Sequence, residues 1–110
     1  MIVVAWNNGA HHPSGAGYGL KVSAEDRDRY FRRTWKFVTV EISASPGQKT
    51  IQINTDKPSF WDSTCRELIS KEIGIWLKSQ NLAPWPKGSP PRLSLRPAGE
   101  ARFVLEGKVR

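Results

Sequence analysis

The chain has one cysteine and one methionine among its 110 residues. A lone cysteine forms no internal disulfide and no zinc site built from several thiolates, so the expected setting is a reducing cytoplasm. Long apolar runs are missing too. None approaches the ~18–20 residues of a membrane-spanning helix, and Met1–Trp6 carries neither a basic leader nor a cleavage pattern. Neither a membrane span nor a signal peptide is expected. Carboxylates are scarce: 10 Asp+Glu against 17 Lys+Arg leave a net charge of +7. That balance favours a polyanionic partner, nucleic acid first.

What is present suits a small folded domain. With 38% hydrophobic and 25% charged residues, a wholly disordered chain is excluded. The length is one domain's worth. Residues 1–106 are expected to form it, with 107–110 as a basic tail.

Ile2-Val3-Val4-Ala5-Trp6 is β-branched and apolar throughout and reads as a strand covered on both sides. Asn7-Asn8-Gly9 stops it and suits a tight hairpin, and a glycine-rich loop follows to Gly19. Tyr18, Leu20 and Val22 alternate with Gly19 and Lys21, a short strand. Ser23 with Asp26 is a capping-box spacing and opens a helix over 24–32, acidic at its start and basic at its end. Glu25 with Arg29 and Asp28 with Arg32 stand at i,i+4.

Val38, Val40 and Ile42 alternate, as do Ile51 and Ile53, and Pro46-Gly47 suits a type II turn between them. On a helical wheel, Trp61, Cys65, Leu68, Ile69, Ile73, Ile75, Trp76 and Leu77 fall on one broad stripe, with Glu67 and Lys71 opposite. This periodicity predicts a long helix over Phe60–Gln80, ended by Asn81 and Pro84. A proline-rich connector leads to two short strands, 92–96 and 101–105. The order ββαββαββ predicts an α+β fold with a mainly antiparallel sheet of five or six strands, one long helix and one short. The predicted core is Val3, Leu20, Val38, Val40, Ile51, Ile53, Leu68, Ile69, Trp76, Leu93 and Phe103.

Several residues are candidates for chemistry. His11 and His12 could share acid–base work on a phosphodiester. Glu72 falls inside the apolar stripe, where a carboxylate must be paired, protonated or at a cleft. Together they define a possible small metal-independent nuclease. Gly15-Ala16-Gly17-Tyr18-Gly19 lacks the spacing of a dinucleotide fingerprint and the lysine of a P-loop, so no cofactor is expected. No metal site is expected either. Gly74 falls on the polar side of the wheel, where neutral drift is the first explanation and close approach of a partner's backbone the second. Cys65 faces the core on that wheel.

The cations are grouped. Arg27, Arg29, Arg32 and Arg33 crowd the first helix and its exit, while Arg92, Arg96 and Arg102 mark the last two strands. Arginine suits planar, bidentate phosphate contact, and Tyr18, Tyr30, Trp35 or Trp85 could stack on a base, Tyr18 and Trp85 first. The leading expectation is a nucleic-acid-binding protein for RNA or DNA, single strands favoured. Its phosphate contacts come from Arg32, Arg33, Arg92, Arg96 and Arg102, with weak sequence preference. A protein-interaction module or homodimer is the alternative, with Trp85 between two prolines as an anchor.

Overall fold

A computed structural model of the chain describes residues 1–43 and 47–109. In chain order the elements are β1 (Ile2–Asn7), β2 (Tyr18–Lys21), α1 (Ala24–Tyr30), β3 (Phe37–Ser43), β4 (Gln48–Asn54), α2 (Pro58–Trp61), β5 (Glu67–Ile69), α3 (Lys71–Ser79), β6 (Arg92–Pro97) and β7 (Arg102–Lys108). Seven strands make one sheet in the order β4-β3-β7-β6-β1-β2-β5. Every neighbouring pair is antiparallel except β3 and β7, which run parallel. The border strands β4 and β5 come close to each other, so the sheet curls into a nearly closed barrel with three short helices.

This overturns the predicted five- or six-stranded antiparallel sheet with one long helix. The span Phe60–Gln80 holds α2, β5 and the nine-residue α3 instead. The break has local causes. The Asp62 Oδ1 accepts from the backbone N–H of Thr64 and Cys65 at 2.8 and 2.7 Å, which turns the chain out of the helix. Arg66 then takes a left-handed conformation at φ 66°, and its Nε donates to the Val22 carbonyl at 2.9 Å. Glu67–Ile69 can therefore join the free edge of β2, with Leu20 opposite Leu68 and Lys21 opposite Glu67. Ser70 restarts a helix by accepting from the Glu72 N–H. Tertiary pairing outweighs a helical pattern that spans two different periods. Strand parity now sets the faces: Leu68 points inward, while Ile69 is 41% exposed and so leaves the predicted core. Cys65, expected to face the core, stands half-buried in the connecting loop.

Elsewhere the local signals act as expected. Ser23 caps α1 by accepting from the Asp26 N–H at 3.1 Å, although the helix ends at Tyr30. Residues 37–43 and 48–54 pair antiparallel, with Val38 opposite Ile53 and Val40 opposite Ile51. The type II turn predicted at Pro46-Gly47 lies partly outside the described residues. In β1 the burial alternates: Val3 and Ala5 face the interior, while Ile2, Val4 and Trp6 face outward and Ile2 is 43% exposed. The strand is therefore not covered on both sides. Asn7 makes a side-chain turn rather than a tight hairpin, its Oδ1 accepting from the N–H of Gly9 and of His11. Residues 107 and 108, expected to begin a tail, continue β7, and the Val109 N–H reaches the Arg92 carbonyl at 2.8 Å.

The barrel interior holds the inward residues of the strands, among them Val3, Leu20, Val40, Ile53, Leu93 and Leu105. α3 adds Ile73, Trp76 and Leu77 to this core. Gly74, expected on a solvated face, is buried against Gly15 of the β1–β2 loop.

Candidate nucleic-acid interface

The basic end of the molecule is organised by Phe31. Directly after α1 the backbone becomes extended at this residue, and its ring enters the core. There it stacks on Phe103 with centroids 4.7 Å apart and meets Phe60 edge-on at 5.2 Å. With Phe31 fixed, Arg32 and Arg33 stand exposed on the rim. A turn closed by Trp35 N–H to the Arg32 carbonyl, at 3.1 Å, brings Trp35 back beside them.

Arg27 faces inward and supports the rim. It is 9% exposed, and its guanidinium donates to the carbonyls of Phe60 and Asp62 at 3.2 and 2.6 Å. Its Nε donates to the Asp28 carboxylate at 3.0 Å. It also lies 5.5 Å from the Trp61 ring centre, and Arg33 lies 5.0 Å from the same ring. The Trp61 N–H donates to the Thr55 carbonyl at 3.0 Å, which holds the indole in place.

A cavity of about 660 Å³ opens between Arg29, Tyr30, Arg32, Trp35 and the β6–β7 turn at Gly99-Glu100. Asp28 and Glu100 line it too, but Asp28 is engaged by Arg27. Arg102 flanks the same turn and stands opposite Thr39, on the barrel face that carries the exposed Phe37. Among the described residues, Arg29, Arg32, Arg33 and Arg102 have no carboxylate within ion-pair distance. The Glu25–Arg29 and Asp28–Arg32 spacings therefore produce no ion pairs. Four guanidiniums remain available beside three partly exposed rings.

Of the other basic candidates, Arg92 lies apart. β6 separates Arg92 from the Pro97 end by roughly 17 Å at ~3.3 Å per residue. Arg92 lines a cavity of about 370 Å³ with Trp85, Pro91 and Lys108. Arg96 stands next to Pro97, toward the rim, but is bound to Glu106 at 3.0 Å. That bond, aided by Ser94, holds the Glu106 carboxyl below its ordinary value. Tyr18 is fully buried, and its hydroxyl lies 2.8 Å from His11 Nδ1. Burial pushes the Tyr18 phenol up, so the protonated form persists. The ring faces inward and offers no open platform for a base. Its parity with Leu20 was the sequence signal for this.

His11, Tyr18 and Trp85 form an edge-to-face cluster with centroids 4.9–5.8 Å apart. His12 is exposed and its Nδ1 accepts from the Ser14 N–H at 3.1 Å, a local turn contact. Glu72 is bound to Lys49 on β4. The histidines and Glu72 thus have separate partners, and His11 and Glu72 line different cavities. The structure does not gather them into one acid–base site. Among the described residues, no three His, Cys, Asp or Glu side chains come together as metal ligands.

Arg29, Tyr30 and Trp35 were legible as a basic cluster with possible stacking rings, while Trp61 was read only as part of an apolar helical stripe. The alternation Arg29-Tyr30 and Arg32-Arg33-Thr34-Trp35 carried the local signal for the first three. Trp61 is brought in only by the tertiary fold. No family model, curated protein or solved structure matches this chain. Among the described residues no helix is long and apolar enough to cross a membrane.

Proposed function

We propose that this protein binds single-stranded nucleic acid at the end of the barrel where the α1 exit meets the β6–β7 turn. The observation that carries this reading is the set of carboxylate-free guanidiniums at Arg29, Arg32, Arg33 and Arg102, interleaved with the rings of Tyr30, Trp35 and Phe37. Arginine forks hold phosphate oxygens, and a ring beside them gives an unpaired base a face to stack on. Duplex DNA hides those faces, so single strands and unpaired ends are preferred. Phosphate contacts carry no sequence information and ring stacking tolerates every base, so the protein discriminates weakly between sequences. The lone Cys65 suits a reducing compartment such as the cytoplasm.

The deciding experiment is titration of labelled single-stranded and duplex oligonucleotides at 50 and 200 mM salt. Four phosphate contacts at about −0.7 each give a log–log slope near −3 on a single strand, or about a 50-fold loss of affinity between those salts. A folded protein that binds no oligonucleotide at the lower salt removes the reading.

The second reading is a protein-interaction or dimerisation surface. It is favoured by the outward Ile2, Val4 and Trp6 on β1. Sedimentation at rising concentration separates it from the first, since a monomer throughout rules out the homodimer.

A further inference from the structure

At the end of the barrel where Trp85 and Arg92 share a cavity, away from the arginine rim, three chain segments meet through their side chains. His11 belongs to the β1–β2 loop, Tyr18 to β2 and Trp85 to the proline-rich connector. The rings stand edge to face, with His11 5.4 Å from Tyr18 and 4.9 Å from Trp85. The His11 backbone is held at φ 46°, an uncommon conformation for a residue with a side chain. Contacts of the imidazole therefore help to hold a backbone that would otherwise relax.

The hydrogen bond at the centre of this cluster suits one charge state of His11. Tyr18 is fully buried, and among the described residues its hydroxyl has His11 Nδ1 as partner, at 2.8 Å. Burial keeps the phenol protonated, so its hydrogen needs an acceptor. With neutral His11 the hydroxyl donates to Nδ1, and the imidazole carries its own proton on Nε2. An imidazolium has protons on both nitrogens. Its Nδ1–H then donates to the phenol oxygen, and the hydroxyl hydrogen is left without an acceptor in a buried site, which is costly. The surrounding charges act in the same direction. The Lys78 ammonium, from α3, lies 5.4 Å from the Tyr18 ring centre, and Lys87 of the connector lines a cavity with His11 and Trp85. His12, next in the loop, is turned to Ser14. Among the described residues no carboxylate lies within ion-pair distance of His11.

We propose that His11 is a pH-sensitive clip: the neutral imidazole fastens the β1–β2 loop to Tyr18 and Trp85, and its protonation releases the loop while the barrel stays folded. The closed loop binds fewer protons than the open one. Closure is therefore favoured above the imidazole range near pH ~6.5 and is lost as pH falls through it. Carboxylates titrate about two units lower and stay charged through this change. The clip is independent of nucleic-acid binding at the rim.

Two NMR measurements test it. Imidazole nitrogen-15 shifts at about pH 7.5, above the imidazole range, should show His11 with its proton on Nε2. Amide hydrogen-exchange protection, corrected for the intrinsic pH dependence of exchange, is then compared at that pH and at about pH 5.5, below the range. It should fall about 5- to 10-fold at Asn8, His11 and Gly15, the factor that one net hydrogen bond supplies, while amides of β3 and β7 keep theirs. The chain has two histidines, so two variants assign the change. His11→Phe keeps a ring against Trp85 but takes up no proton, and its loop amides should lose the pH response. His12→Phe should retain it. The tautomer and the pH profile are read on the parent protein, so the test stands even where a variant fails to fold. The proposal is overturned by a proton on His11 Nδ1 in the neutral imidazole, by loop protection unchanged or higher at the lower pH, or by an equal loss in β3 and β7. A response that survives in His11→Phe or vanishes in His12→Phe overturns it as well.

Discussion

The backbones of Gly15 and Gly74 touch: a Cβ placed on Gly74 would stand 2.6 Å from the Gly15 Cα and closer still to its carbonyl oxygen. Alanine at an ordinary interior helix position gains about 1 kcal/mol over glycine. Here the added methyl meets backbone that cannot rotate aside. Gly74→Ala is therefore expected to destabilise the protein by about 1–3 kcal/mol, read as a lower midpoint in urea or heat. A midpoint equal to or above the parent would show that α3 can slide away from the loop.

The two basic ends can be told apart by charge reversal. Arg32→Glu with Arg33→Glu should flatten the salt slope of single-strand binding by one or two units and weaken every sequence alike. Arg92→Glu with Lys108→Glu changes net charge equally at the opposite end of β6. It should cost less than half as much affinity on a logarithmic scale. Equal losses would mean that overall charge, not the Arg32–Arg33 rim, holds the strand.

Arg27 is placed for stability rather than binding. Arg27→Met keeps most of the stem but removes the donors that meet the Phe60 and Asp62 carbonyls. Leaving these carbonyls unpaired should cost about 2–3 kcal/mol. Arg27→Lys should recover only part of that, because an ammonium cannot reproduce the fork. Denaturant midpoints for the two variants give the comparison.

Asp62 should give the fold part of its acid sensitivity. Backbone hydrogen bonds from Cys65 and then Thr64 hold its carboxyl below the ordinary 3.8. A carboxyl depressed on folding contributes stability that is fully present above its unfolded value and is lost as pH falls through the folded one. The expected loss therefore starts near pH 4 and deepens below it. Asp62→Asn retains an acceptor oxygen and should leave neutral stability nearly unchanged while blunting the acid slope. Urea midpoints between pH 2.5 and 7 measure both effects.

Features decided within a few residues were legible from the sequence. The Ser23–Asp26 cap and the alternating strands at 38–42 and 51–53 depend on neighbours in the chain, and each forms. The basic rim was visible as Arg32-Arg33, and its ring as Trp35. The helix over Phe60–Gln80 was misread because its apolar spacing satisfied a wheel, whereas Glu67–Ile69 had a free edge of β2 to join. The left-handed Arg66 that permits this carries no signature in its residue type. Glu72 was placed in an apolar stripe for the same reason. Once the helix starts at Lys71, that carboxylate meets Lys49, a partner on β4 that only the fold supplies. The parallel β3–β7 pair was likewise hidden, because it joins strands separated by most of the second half of the chain.

β1 lies between β2 and β6, so Val3 finds Leu93 across the sheet. On a ribosome adding about 5–20 residues per second, the ninety residues between them take roughly 5–20 s to make. Through that interval the nascent chain carries Ile2–Trp6 as an apolar strand with one flank unclaimed. The order of strands in the sheet thus turns translation speed into a variable of folding: pauses before residue 92 prolong the exposure of β1, and chaperones that shield short apolar segments should act on β1 before residue 92 is made.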